Sequence, residues 1–366
     1  MPKRTMHITL LIHSKIAVFE WGKIIVDLFN AHTAKNKYTL STVCDAYSIT
    51  DFDSPIVIVG VDSVWLNGVF DLLNSRKSKT VLMLGMAHKN YEYVNHVSAD
   101  QRITTAKCLD MLLNRGRTRT AFFGEQKNDT SDRLKSLTFS ERFSPDDVYV
   151  AENDIGETFE RLLSNINRYD SIVCANDVMA IYLISRFRAL GTDIPKRLYL
   201  VGNGDLWLSA HVTPSLTTVS YNSEAMVKMA IRICEDLCEY DDFGSVNINV
   251  SARIIQRAST GAVQDETNDD KYPQHKRETY TEIYGERLCP ELSEIVSLNR
   301  TLSACSDDQI KVLRYWINDV SVDRISDELF ISRDTVKYHL KNLYKQLNVH
   351  SKNELMKLVN KYGLTL

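Results

Sequence analysis

The chain has 366 residues, 44% of them hydrophobic, and a net charge of −3. That length suits two or three domains with proper cores, and the charge excludes a chain coated throughout for nucleic acid. Seven cysteines at 44, 108, 174, 234, 238, 289 and 305 include no CxxC pair, which suits a reducing cytoplasm and not a disulfide scaffold. From the N-terminus, Lys3 and Arg4 precede the apolar run Ile8 to Ile12. His13 ends that run too early for a signal segment, and no run approaches a membrane span. Ile8 to Ile12 reads as a buried strand, Phe19 to Ala31 as a helix with Ile24, Ile25, Leu28 and Phe29 inward, and Tyr38 to Val43 as a strand. Pro55 to Val61 is a core parallel strand, Trp65 to Leu73 a helix, Thr80 to Leu84 a strand, Thr104 to Asn114 a helix and Thr120 to Phe123 a strand. This alternation predicts a doubly wound α/β fold.

The pattern then repeats. Val148 to Ala151, Ser171 to Cys174 and Leu198 to Val201 read as strands, and Gly156 to Ile166 and Asp177 to Leu190 as the helices between them. Ala225 to Cys238 is a helix, followed by the late strands Val246 to Val250 and Arg253 to Gln256. Cys234 and Cys238 on that helix read as buried thiols, not metal ligands. Two successive α/β halves imply a bilobed molecule with a cleft at the carboxyl ends of the strands. Aromatics near that mouth are Phe19, Trp21, Trp65 and Trp207, for which stacking on a ligand and packing in the core both stand as readings.

Residues from Gly261 to about Glu278 are polar and charged and read as a linker. Tyr280, Ile283, Tyr284 and Leu288, then Leu292, Ile295, Val296 and Leu302 past Pro290, fit one or two linking helices. These would dock on the following module, pair between subunits or pack on their own domain. Four short helices close the chain. Ser306 and Gln309 form a capping box for Ser306 to Ile317, Ser321 caps Val322 to Leu329, and Ser332 caps the helix that carries Asp334 in its first turn. Ser351 and Glu354 form a further capping box, with Gly363 as the stop. On the third helix Val336, Leu340, Leu343 and Leu347 make one apolar stripe, with Tyr338, Lys341 and Lys345 opposite and Lys337 on the flank. Residues 329–366 carry a net +5 and residues 305–328 a net −3, so the cationic charge gathers on the half suited to a DNA groove.

The run Ile325-Ser-Asp-Glu-Leu-Phe-Ile-Ser-Arg-Asp-Thr-Val-Lys-Tyr-His-Leu-Lys, with Leu343, Lys345, Leu347, Asn348, Val349 and Ser351, resembles the LuxR/NarL-type helix-turn-helix domain. The resemblance places Lys337, Tyr338 and Lys341 at base edges and phosphates and Thr335 and Lys345 at phosphates; Arg333 completes the expected DNA-contacting set. Gln309 stands where that family has Glu, and Asp319 where it has Gly. Asp319 must then take a left-handed turn or alter it.

Residues 5–260 resemble the effector domain of LacI/GalR-type regulators, related to periplasmic sugar-binding proteins. The carrying stretches are Val97-Ser-Ala-Asp100, Leu112-Leu-Asn-Arg-Gly116, Ala121-Phe-Phe-Gly124, Ser171-Ile-Val-Cys-Ala-Asn176-Asp177, Leu190-Gly-Thr-Asp-Ile-Pro195, Leu200-Val-Gly202-Asn-Gly-Asp205, Pro214-Ser-Leu-Thr-Thr218 and Arg253 to Thr260. The resemblance implies Asp100, Arg133, Asn176 and Asp177 as ligand-gripping residues, an inventory suited to a polyol, sugar or carboxylated small molecule. Asp177 as a helix cap and Arg133 as a surface ion pair stand as alternatives. The family's first Asp after the Val-Gly strand is Gly204 here, with Asp205 one position off. Val43 to Ser54 is too short for the helix expected there, and no counterpart of the family's N-terminal DNA-binding headpiece precedes Ile8.

The expected architecture is therefore an α/β bilobed, doubly wound periplasmic-binding-protein-like sensor over 1–260. A charged linker over 261–302 joins it to an all-α four-helix helix-turn-helix domain over 303–366. The expected protein is a cytoplasmic homodimeric transcription regulator. Its partners are double-stranded DNA and an unidentified small-molecule effector, with no membrane, cofactor, metal or catalytic residue. The alternative is a DNA-binding regulator whose sensor lobes form a dimerisation or protein-partner platform. No glycine-rich phosphate loop, nucleophile elbow or metal-spaced histidine cluster supports an enzyme, and the N-terminal half is about twice the size of a response-regulator receiver.

Overall fold

The computed structural model describes residues 6–17, 20–85, 94–151, 154–240, 244–261 and 290–366. Phe19 and the segment with Tyr280, Ile283, Tyr284 and Leu288 lie outside the described residues. The chain opens with β1 (His7–Ile12), α1 (Ser14–Ala17), α2 (Glu20–Lys35), β2 (Thr39–Val43), β3 (Ile56–Val59), α3 (Ser63–Ser75), β4 (Thr80–Met83) and β5 (Asn95–Ala99). Only a short 3₁₀ turn, Ala46–Ser48, lies between β2 and β3, as the short sequence there requires. It continues with α4 (Gln101–Asn114), β6 (Thr120–Glu125), α5 (Thr130–Ser140), β7 (Val148–Val150), α6 (Ile155–Ser164), β8 (Ser171–Cys174), α7 (Asp177–Ala189) and β9 (Tyr199–Val201). Then come α8 (Trp207–His211), β10 (Thr218–Ser220), α9 (Ser223–Glu239), β11 (Asn247–Val250) and β12 (Arg253–Ile255).

A parallel sheet in the order β11-β5-β4-β3-β1-β2 builds lobe 1, and a parallel sheet β7-β6-β8-β9 builds lobe 2, with β10 and β12 as a small antiparallel pair. The fully buried run Ile56-Val-Ile-Val at the centre of lobe 1 is what a strand covered on both faces needs. The two halves are not successive in the chain, contrary to the simple reading of the alternation. Helix α4 packs on α5 of lobe 2, whereas α9 packs on α2, β4 and β5 of lobe 1, and β11 joins the lobe 1 sheet beside β5. The chain therefore crosses between lobes near Asp100, near Tyr221 and between β11 and β12. Local periodicity cannot reveal this, because a crossover helix has the same pattern whichever sheet it covers. On α9, Cys234 is buried, but Cys238 is exposed, a correction to the reading of both as buried thiols: Leu237 fills the core at the end of this helix, and Cys238 is left at the surface.

The C-terminal part holds α10 (Pro290–Ser303), α11 (Asp307–Ile317), α12 (Val322–Leu329), α13 (Arg333–Leu347) and α14 (Lys352–Tyr362). The Ser306–Gln309 capping box forms with both of its bonds. At α14 only half of the expected box forms. The Ser351 hydroxyl accepts from Glu354 N, but the Glu354 carboxylate accepts from His350 N at 2.8 Å. Asp319 takes the left-handed conformation, with φ 60°.

This module has two cores. Val312, Ile325, Val336 and Leu340 form a small one of their own. The other is continuous with lobe 2: Phe159, Tyr182 and Phe187 join Leu292, Ile295, Leu298 and Leu302 of α10, Leu313, Leu343, and Leu355, Val359 and Tyr362 of α14. The single apolar stripe of α13 is thus divided, with Val336 and Leu340 in the first core and Leu343 in the second. Polar contacts pin the same interface. Asn299 of α10 accepts from Leu208 N at 3.0 Å, and Thr365 N donates to His211 O at 2.8 Å. Gly363, at φ 59°, closes α14 in the left-handed conformation and lies against Arg188, where any Cβ would collide with the guanidinium.

Candidate functional site: a cationic helix face and the interlobe junction

The outer face of α13 is built by its period. With the apolar stripe committed to the two cores, Lys337, Tyr338, Lys341 and Lys345 are left exposed. None of the three lysines has an ion pair with a described residue. Tyr338 is 62% exposed, an aromatic presented among cations. Thr335 is half-buried at the helix start, its hydroxyl 2.8 Å from the Ser332 hydroxyl. Arg333 differs from the lysines, because its guanidinium is held 2.8 Å from Asp323 of α12. The turn before α13 carries Phe330, left-handed at φ 55° and exposed.

The second site lies where the carboxyl ends of the two sheets face one another. The lobes touch here directly. Thr130 donates to Val61 O through both its N–H and its hydroxyl, each at 3.0 Å, and Ser63 N donates to Asn128 O at 2.9 Å. A cavity of about 30 Å³ lined by Leu84, Gly85, His96, Ser98, Gln101, Ser131 and Leu134 remains beside this seam. That volume holds one or two waters.

The expected ligand residues part company here. Asp100 caps α4, accepting from Ile103 N at 3.0 Å, at a crossing between lobes. Arg133 lies on the outer side of α5 with 57% of its side chain exposed, 3.3 Å from Glu125. The cation that turns inward is Lys135, 1% exposed, 2.9 Å from Asp132 and donating to Ala175 O at 2.6 Å. On a helix the step from 133 to 135 is about 200°, enough to exchange outside for inside. The signal that finds Lys135 is the face Asp132, Lys135, Ser136 and Phe139, all buried. Glu125 and Asp129 are buried beside it; one Glu125 oxygen, Ser131 Oγ and His13 Nδ1 have no hydrogen-bond partner among the described residues. Burial, then the neighbouring Asp132 charge, pushes the Asp129 carboxyl well above the usual range.

Asn176 caps α7, accepting from Met179 N at 3.0 Å, so the cap is not Asp177. Asp177 is buried, and Leu206 N and the hydroxyls of Ser209 and Thr218 all donate to it. A Cβ on Gly202 would collide with its carboxylate, so glycine is required there. Asp177 thereby fixes the start of α8, the helix that α10 caps with Asn299. Asp205, at φ 51°, is paired with Arg257 at 2.8 Å. Of the aromatics, Trp21 is buried in lobe 1 and Trp207 is buried and stacked 3.6 Å from His211. Trp65 alone of these three lies half-buried, 4.7 Å from the His13 ring.

Burial pushes Asp177 up to about 6 against its three donors. An unfolded chain releases this proton near pH 4. Between those values the folded form keeps a proton that the unfolded form has lost. The carboxyl's contribution to stability is therefore greatest below about pH 4 and is lost as pH rises through about 6. Asp177→Asn lacks this dependence. Urea unfolding of both chains is expected to show wild type losing about 2 kcal/mol relative to the variant between about pH 4.5 and 7.5; a constant difference would contradict the shift.

Residues 109–260 match the model of the periplasmic binding protein-like domain, and residues 304–359 match that of bacterial regulatory proteins of the luxR family. The chain fuses a periplasmic-binding-protein-like domain to a luxR-family domain. The binding-protein-like part is similar to the HTH-type transcriptional repressor PurR of Haemophilus influenzae, 27% identical over 157 residues that cover 41% of this chain and 45% of that one. The chain spans about half the length of the curated relatives it matches. Its fold is that of the transcriptional regulator CelR in complex with cellobiose, at TM-score 0.60, 16% identity and 71% and 86% coverage of the two chains. It is also that of the lac repressor dimer bound to operator and an anti-inducer, at TM-score 0.59, 14% identity and 71% and 83% coverage. The luxR-type domain supplies the cationic helix face, and the binding-protein-like domain the interlobe junction. No helix among the described residues is long and apolar enough to cross a membrane.

Proposed function

We propose that this chain is a transcription regulator that binds double-stranded DNA through α13 and senses a small-molecule effector between its two lobes. One observation carries the proposal. The cationic face of α13 is open to solvent, while its apolar face closes a core shared with lobe 2. A change in lobe 2 then turns the DNA-facing helix as part of the same packed body. An effector that favours one lobe arrangement shifts the population of that arrangement, and so couples to DNA affinity. The solved relatives named for cellobiose and for an operator-bound dimer support a sugar-like effector and a homodimer. A homodimer would set two copies of α13 about one DNA turn apart.

The proposed extents are 1–260 for the sensor and 303–366 for the DNA-binding domain, with 261–302 joining them and α10 as the docking element. The proposed DNA contacts are Arg333, Thr335, Lys337, Tyr338, Lys341 and Lys345. The proposed effector contacts are Asp100, Asn176 and Asp205, while Lys135 pairs with Asp132 and Asp177 holds α8. The protein acts in the cytoplasm as a regulator, not an enzyme.

Binding of the full chain to labelled duplexes, with and without sugars, polyols, nucleosides and small acids, tests the proposal. A DNA affinity that changes with one compound class, together with a saturable rise in melting temperature, supports it. Absence of salt-dependent duplex binding would overturn it. The direct seam from Thr130 to Val61 favours a second reading, in which the lobes form a platform for a protein partner. DNA binding that no compound class alters, from a chain that melts cooperatively, would favour that reading.

A further inference from the structure

Resting on the DNA-binding reading above, we propose that Asp334 is a base-reading residue that selects a cytosine in the major groove.

At about 100° per residue, Asp334, Lys341 and Lys345 fall within about 20° of one line along α13, with Tyr338 about 40° to one side and Lys337 about 60° to the other. Asp334 is therefore central on the cationic face. It is exposed, and its carboxylate has no hydrogen bond or ion pair with a described residue. Asp307 and Asp327 are likewise without a partner among the described residues, but neither lies on α13, and other acids of the module are held. Asp323 is held by Arg333 at 2.8 Å, Asp319 by Lys352 at 2.6 Å and Glu328 by Arg324 at 3.7 Å.

Helix-end electrostatics account for a carboxylate in a first turn. They do not account for its position on this face, since several other first-turn positions point elsewhere. On a duplex, a carboxylate among lysines repels phosphates and weakens the attraction that they supply. It is compatible with tight binding where it meets a hydrogen-bond donor. The first turns of a recognition helix are the part that reaches base edges. In the major groove a carboxylate, which only accepts, matches the cytosine N4 amino group and is repelled by the acceptors of guanine and thymine. Asp334 thus converts a general cationic face into one that rejects most sequences.

The test is selection from random-sequence duplexes with the full-length wild type, Asp334→Ala and Asp334→Asn, each checked for helix content and melting temperature. Wild type is expected to select a fixed C·G pair at one position of each half-site, with roughly 5- to 100-fold discrimination there. Asp334→Ala is expected to lose that preference alone and to bind unrelated duplexes more tightly. Asp334→Asn is expected to move the preference to adenine, whose N6 and N7 an amide pairs with. A uniform gain in affinity for every duplex, with an unchanged selected site, would overturn this inference and leave the DNA-binding reading intact. Failure of wild type to bind any duplex would overturn both.

Discussion

Lys135→Met is expected to destabilise the folded chain by about 3–5 kcal/mol, the usual consequence of stripping the partner from a buried charge. Lys135 and Asp132 are 1% and 0% exposed and 2.9 Å apart. Without the ammonium, the Asp132 carboxylate is left buried beside Asp129, and Ala175 O loses a donor. Met fills a similar volume, so little of the loss arises from a cavity. Removing both charges, with Asp132→Asn added to Lys135→Met, should recover much of the stability, because the penalty comes from the unpaired charge. Arg133→Met, two residues away, should destabilise less than Lys135→Met, since the guanidinium is mostly exposed and screened, although it leaves the buried Glu125 carboxylate without its cation. Urea unfolding of the full chain separates these outcomes. Equal effects at 133 and 135 would contradict Lys135 as the inward cation.

The second large effect concerns DNA. Replacing Lys337, Lys341 and Lys345 together by Ala should cut the slope of log affinity against log salt by about 3, roughly one for each phosphate left without its lysine. Affinity at low salt should fall steeply, while the melting temperature stays close to that of wild type, because all three side chains are exposed and unpaired among the described residues. Ala is also a good helix former, so α13 is not weakened by the change. An unchanged slope would remove this face from the DNA interface. Tyr338→Ala adds a finer probe: it should alter sequence preference with little change in slope, since a phenol edge releases no counterion.

The difference between these two sites shows what each level of structure contributes. The helix-turn-helix module was legible down to its caps. Ser306, Ser321, Ser332 and Ser351 each cap a helix within three residues of themselves, and the cationic face of α13 follows from spacing along one helix. Such features depend on neighbours in the chain, so the sequence by itself determined them. Fold class was legible for the same reason, through strand and helix periods and the runs that resemble known regulators.

What the tertiary structure alone decided depends on residues far apart in sequence. Whether α9 and β11 return to lobe 1 is set by which sheet edge is free after two crossings, and local pattern is silent on it. Whether Arg133 or Lys135 faces the junction depends on where α5 begins, and that start is fixed by Asp129 accepting from Ser131 N and Asp132 N. Asp177 looks like a first-turn helix carboxylate until Leu206, Ser209 and Thr218 are brought to it. The sharing of one apolar core between lobe 2 and the DNA-facing module is of the same kind. Leu343 and Tyr362 have the same hydrophobic period whichever partner they meet, and only the packed chain decides that the partner is the sensor lobe.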